Sequence, residues 1–184
     1  MTELPVASGQ PLATADATEH RGPGRATGGL EEVEAAFEGT MAPLYPALVR
    51  RLVLVLGVRE DAEDIAQEAY ERAFRAWRGF DGRDPRAWLY TIALRLAFNQ
   101  LKRRRRWATI LDRSPRQAWS DHSDPDLWSA LSKMDPRARA TLLLNALDGY
   151  TLAEIAAMLD EPEGTVSSRL SRARAALRTT LDAQ

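Results

Sequence analysis

The sequence predicts an all-α protein built as two small helical domains joined by a flexible linker. Apolar residues recur at helical spacing through most of the chain, and no strand signal stands out. The pairs Asp84-Pro85 and Asp135-Pro136 mark helix starts, with the acid as cap and the proline where a missing N–H costs nothing. At 184 residues and 45% apolar content the chain suffices for one domain or two small ones.

Residues 1–29 are rich in Ala, Thr, Gly and Pro without periodicity and are expected to be disordered. The first domain is read as residues 30–107. Val33, Phe37, Leu44, Leu48, Leu52 and Val55 recur at helical spacing, interrupted where Pro43 and Pro46 start or break a helix. Gly57 suits a C-terminal cap. A helix is expected over about residues 61–78, with Asp61 and Asp64 in the first turn, where the helix dipole favours acids. Ile65, Ala69, Ala73 and Ala76 give it an inward stripe, flanked by Phe74 and Trp77. After a turn at 79–83, a third helix opens at Asp84 and buries Trp88, Leu89, Ile92, Leu96 and Leu101 before ending in a basic run.

Residues 108–123 lose periodicity and read as the linker. The second domain, 124–184, starts with a helix near 126–134. Another opens at Asp135 and runs through Leu142, Leu143, Leu144 and Leu147 to Gly149. Thr151 and Glu154 form a capping box for a short helix burying Leu152, Ile155, Ala156 and Leu159. A turn over 160–164 follows. Thr165 is expected to open the last helix, with Val166, Leu170, Ala173 and Leu177 inward.

A net charge of −1 conceals strong segregation. Acids dominate from Glu60 to Glu71, whereas 95–107 and 164–178 carry arginines and no acid. Such surfaces fit two kinds of partner, although solvated helix faces have the same look. There is no cysteine, so neither disulfides nor thiolate metal sites hold the fold. No apolar run approaches the ~20 residues of a membrane span, and the N-terminus lacks a signal-peptide pattern, so a cytoplasmic protein is expected. His20 and His122 have no ligand-spaced neighbours, and no catalytic set or phosphate-binding glycine loop stands out. No enzyme activity, metal or cofactor is therefore expected.

The last two helices have the pattern of a helix-turn-helix: a short capped helix, a turn with Gly164, then a helix with a polar start. Ser and Arg there suit phosphate contacts, and Arg can read guanine edges. In the first domain, a basic helix end beside Phe80, Trp88, Tyr90, Phe98 and Trp107 suits melted DNA, with cations on the backbone and rings on unstacked bases. Trp88 and Phe98 are equally compatible with the core. The acidic helix repels DNA and better matches a protein partner.

Asp61-Ala-Glu-Asp-Ile-Ala-Gln-Glu68, Trp88-Leu-Tyr-Thr-Ile-Ala93 with its following basic run, and Asp148-Gly-Tyr-Thr-Leu-Ala-Glu-Ile-Ala156 with 164–174 resemble, in that order, regions 2 and 4 of the extracytoplasmic-function sigma factors of the sigma-70 family. The resemblance covers residues 30–181. It implies a subunit that binds bacterial core RNA polymerase, directs it to promoters and opens the DNA, with an anti-sigma protein as a further partner and a monomer when free. Polymerase would meet Asp64, Gln67, Glu68, Arg72 and Arg75. Phe80, Arg83, Arg86, Trp88, Tyr90, Arg95, Asn99, Lys102 and Arg103 would engage the minus-10 element. Thr165, Ser167, Ser168, Arg169, Ser171 and Arg172 would enter the major groove at the minus-35 element. The linker, with Asp112, Asp121 and Asp124, would thread through polymerase. Two departures stand out: Arg95 occupies a position where many members have Asn, and Pro43 and Pro46 interrupt a segment usually read as one helix. The competing reading is a stand-alone helix-turn-helix regulator whose N-terminal domain dimerises or senses a signal.

Overall fold

The computed structural model describes residues 29–111 and 125–182. The N-terminal extension, the two histidines and most of the linker, including Asp112, Asp121 and Asp124, lie outside the described residues. Among those described, every regular element is helical.

Helices α1 (Leu30–Met41) and α2 (Tyr45–Leu56) are separated by a 3-10 turn, Ala42–Leu44. Pro43 and Pro46 fall at the second positions of the turn and of α2, where backbone N–H groups have no helical acceptor to lose. Gly57 ends α2 in a left-handed conformation (φ 82°), and its N–H reaches Val53 O at 2.8 Å. Taken as one stretch, Leu30–Leu56 is long and apolar enough to cross a membrane, which the proline-divided sequence pattern did not show. Its apolar stripe of Val33, Phe37, Met41, Leu48, Leu52 and Val55 is instead spent on the core.

Helix α3 (Arg59–Ala76) presents Ala62, Ile65, Ala66, Ala69 and Ala73 inward. These small side chains let α2 and α4 approach closely. Trp77, fully buried in the following 3-10 turn Trp77–Gly79, extends the stripe, whereas Ala76 is exposed. The four-residue step from Ala73 selects Trp77, so the expectation of an inward Ala76 is corrected. Phe37 receives Tyr70, Phe74 and Trp77 edge-on at centroid distances of 4.8, 5.1 and 5.4 Å. Rings so arranged add about 0.5–1.5 kcal/mol per pair beyond their burial.

Helix α4 (Pro85–Leu111) starts where Asp84 accepts the Ala87 N–H at 2.8 Å. It carries the whole basic run and continues to Leu111, beyond the residue 107 end expected for the domain.

The C-terminal half holds α5 (Pro125–Ser132), α6 (Pro136–Ala146), α7 (Leu152–Leu159) and α8 (Glu163–Asp182). Asp135 caps α6 through the Arg137 N–H at 2.9 Å, and the Thr151–Glu154 capping box forms at α7. Leu147 lies outward, 61% exposed, because α6 ends at Ala146 and the chain turns through Gly149 (φ 78°). Helix α8 begins two residues before the expected Thr165, since Pro162 O already accepts the Val166 N–H at 3.2 Å.

The two halves pack on each other rather than standing apart. One apolar cluster runs from Val33, Phe37 and Leu52 through Leu89 and Leu94 to Ile155, Met158, Leu159 and Val166. A smaller one (Leu131, Leu142, Leu170, Ala173) joins α5, α6 and α8. Arg139 crosses the junction and is 1% exposed. Its guanidinium donates to Val55 O at 2.9 Å, Leu54 O at 3.2 Å and Met134 O at 3.1 Å. The last carbonyls of α2 lack helical partners, and a cation suits that end of the dipole. Burial pushes the Arg139 guanidinium down to about 10, with Asp135 offsetting part of that.

Candidate nucleic-acid interface

The solvent face of α3 carries Asp64, Gln67, Glu68, Arg72 and Arg75, all exposed. It is laced along its length: Arg72 pairs with Glu68 at 2.6 Å, Arg75 with Glu71 at 2.9 Å, and Gln67 donates to Glu71 at 3.4 Å. Exposed pairs of this kind add little stability and orient the charges. Phe74 lies among them, 41% exposed, although the sequence pattern placed it beside the core stripe. At the root of α3, Asp61 is buried and does more than meet the dipole. It receives both terminal nitrogens of Arg104 and, at 3.3 Å, the Gln100 amide, so α3 anchors the basic run of α4.

The residues read as minus-10 contacts divide by exposure. Arg83, Arg95, Asn99, Lys102 and Arg103 are exposed. Trp88 is half-buried, stacked on Phe80 at 4.7 Å, and Phe80 stacks in turn on Trp77 at 5.2 Å. Phe80 and Tyr90 are 5% and 1% exposed, so in this arrangement neither ring is open to a base. Tyr90 faces Tyr150 of the C-terminal half, at 6.5 Å between centroids. Arg86 lies over both rings, 5.4 and 5.7 Å from their centroids, and pairs with Asp148. Burial alone lowers the Arg86 guanidinium, and Tyr90, Asp148 and Tyr150 more than reverse this, leaving it raised. Arg51 reaches the same Asp148 carboxylate at 2.7 and 2.9 Å. The Asp148 side chain has no solvent exposure. Asp148 opens the region 4 motif, but its ion-pair partners were not legible there, because they lie on helices far away in the chain.

On α8, Thr165, Ser167, Ser168, Ser171 and Arg172 are exposed. Arg169 is mostly covered and pairs with Glu161 in the preceding turn, as does Arg137 from α6. Asp160 adopts the left-handed conformation (φ 55°) that reverses the chain between α7 and α8. The turn brings the polar start of α8 out beside α7, as a helix-turn-helix requires.

An exposed acidic face on α3, a basic, aromatic α4 and a helix-turn-helix at α7–α8 stand together in one chain, the parts of a DNA-binding transcription protein. The Sigma-70 region 2 model matches residues 41–107 and the Sigma-70, region 4 model matches residues 125–177. The chain belongs to the sigma-70 family, in its extracytoplasmic-function branch. It is similar to the ECF RNA polymerase sigma factor SigE of Mycolicibacterium smegmatis, 32% identical over 173 residues, covering 83% of this chain and 67% of that protein. It is also similar to SigL of Mycobacterium tuberculosis, 31% identical over 169 residues, covering 83% and 93%. Among solved structures, the sigma factor RpoE in complex with the anti-sigma factor NepR from Bartonella quintana superposes with a TM-score of 0.69, at 26% identity, over 79% of this chain and 96% of that one. CnrH in complex with the cytosolic domain of CnrY gives 0.61, at 30% identity, over 82% and 90%.

Proposed function

We propose that the chain is a cytoplasmic specificity subunit that binds core RNA polymerase, directs it to particular promoters and promotes strand opening, leaving the nucleotidyl chemistry to the core enzyme. The observation that carries this is the pairing, in one chain and in family order, of the α3 docking face and α4 basic helix with the α7–α8 helix-turn-helix.

The exposed face of Asp64, Gln67, Glu68, Arg72 and Arg75, with Phe74 as its apolar element, serves as the polymerase contact. Lys102, Arg103, Arg95 and Asn99 follow the minus-10 strand, and Arg83, Arg86 and Trp88 flank its entry. Phe80 supports Trp88 from beneath, and Tyr90 comes within reach only once the C-terminal half moves away. Unstacking a base costs a few kcal/mol, offset by contacts available only to the melted strand. Thr165, Ser167, Ser168, Ser171 and Arg172 meet the minus-35 duplex, joined by Arg169 when it leaves Glu161. An anti-sigma protein is a further partner, supported by similarity to RpoE and CnrH chains held in such complexes.

Transcription reconstituted from bacterial core polymerase and a promoter library tests the reading. Start-site selection is expected only when the chain is present. A stable dimer that binds duplex tightly and leaves polymerase unaffected would establish the stand-alone regulator instead.

A further inference from the structure

Two cavities adjoin along α4, and Phe98, Asn99 and Arg137 line both. The Arg137 guanidinium lies over the Phe98 ring, 4.5 Å from its centroid, and the pair forms their common wall. The first cavity, about 420 Å³, has an apolar side of Leu94, Met158 and Leu159 and a polar side of Arg95, Asn99, Asp160 and Glu161. The second, about 500 Å³, gathers Lys102, Arg105, Arg106 and Arg137 around one acid, Asp135. Glu161 is already engaged by Arg137 and Arg169, and Asp135 by Arg105. Among the described residues, the side chains of Arg95, Asn99, Lys102, Arg106 and Asp160 form no hydrogen bond or ion pair.

An apolar chamber edged by unengaged hydrogen-bonding groups suits a planar base, and a cationic chamber suits phosphates. Arg95, Asn99, Lys102 and Arg106 recur at i, i+4, i+7 and i+11, a single stripe of α4 about 16 Å long. The stripe offers base contacts first and phosphate contacts after. Guanine is the base these polar groups fit. Its O6 and N7 acceptors match two N–H donors of Arg95, and its N2 amino group can donate to the Asp160 carboxylate. Adenine would turn an amino donor toward Arg95. We propose that the joined cavities bind a guanine nucleotide carrying two or more phosphates, with Arg95 and Asp160 holding the base and Lys102 and Arg106 the phosphates.

Arg95, Asn99 and Lys102 are also read above as minus-10 contacts, so nucleotide and promoter strand compete for the same side chains. That consequence rests on the sigma-factor reading, whereas binding of the nucleotide to the free chain does not. Each nucleotide-bound molecule is withdrawn from DNA binding, so apparent promoter affinity falls with the fraction occupied. The level of guanine nucleotide thereby regulates the minus-10 surface.

Calorimetric titration of the full chain with GTP, ATP and inorganic triphosphate, without divalent cations, tests the site. GTP is expected to bind about tenfold tighter than either, because its base bonds to two charged groups. Asp160→Asn keeps a side chain that tolerates the left-handed backbone (φ 55°) and should abolish the preference for GTP over ATP. Arg95→Gln should abolish it too. Lys102→Gln with Arg106→Gln should weaken all three ligands by about tenfold. All four positions are exposed, so the variants keep the fold. GTP should also displace a labelled single-stranded oligonucleotide from the wild-type chain at concentrations where ATP does not.

Equal affinity for GTP, ATP and triphosphate would mean that the cations attract any polyanion, and would overturn the proposal. So would the absence of binding, or a GTP preference that survives Asp160→Asn and Arg95→Gln. Selective GTP binding that leaves the oligonucleotide in place would support the nucleotide site and count against the course assigned to the minus-10 strand.

Discussion

Asp61, near the start of α3, and Arg104, deep in the basic run of α4, form a two-pronged ion pair across 43 residues of sequence. The pair ties the acidic helix α3 to the basic end of α4. Asp61 is mostly buried while Arg104 remains half in water, so the pair is worth more than a surface bridge and less than a fully desolvated one.

Asp61→Ala is expected to destabilise the fold by about 1–3 kcal/mol, because it strands the Gln100 amide and frees Arg104. Urea unfolding monitored by circular dichroism measures this. Arg104→Ala should cost the same or more, since it leaves the carboxylate unpaired. A cycle of both substitutions should return a positive coupling.

Removal of the α7 cap by Thr151→Ala should cost about 1 kcal/mol. The Thr151 backbone N–H, and then its hydroxyl, hold the Glu154 carboxyl below the usual carboxylate range. A group with a depressed folded pKa stabilises above its unfolded value, and that contribution is lost as pH falls through the folded one. Glu154→Gln should therefore flatten the acid side of the stability profile. Unfolding curves near neutrality and at about pH 3 check the sign.

Burial, followed by the hydrogen bond to Glu38 at 2.9 Å, pushes the Tyr70 phenol up to about 12. The folded chain keeps this proton where the unfolded chain releases it, so stability falls as pH rises from the ordinary tyrosine range toward 12. Tyr70→Phe should reduce that alkaline loss. Tyrosinate absorbance, followed alongside unfolding, is the measurement.

Asp64→Lys with Glu68→Lys should weaken core-polymerase binding by about tenfold or more and leave the affinity of isolated region 4 contacts for duplex unchanged. Arg169→Ala with Arg172→Ala should do the reverse. It should also lower the salt dependence of upstream binding by about two phosphate contacts. Equilibrium titrations in a holoenzyme assay separate the two effects.

Much of the helix inventory was legible because it depends on neighbours in sequence. Asp84 and Asp135 cap as their following prolines indicate, and Gly57 takes the left-handed conformation its position implies. The exposed faces of α3 and α8 follow from their inward stripes. What remained hidden depends on partners far away in the chain. Asp148 is an ordinary turn acid until folding sets Arg51 and Arg86 beside it. Arg139 lies in an apolar helix with no local sign that it reaches the end of α2. Phe80 and Tyr90 carry the ring chemistry suited to melted DNA, but composition cannot say that one is clasped by Trp77 and Trp88 and the other covered by Tyr150.

In the proposed division of labour, one half opens strands while the other grips duplex, both mounted on polymerase. Permanganate reactivity of unpaired thymines, read together with nuclease protection upstream on one selected promoter, tests it most directly. Downstream reactivity and upstream protection are expected together, and only when chain and core polymerase are both present. Upstream protection by the chain alone, with no thymine reactivity after polymerase is added, would contradict it.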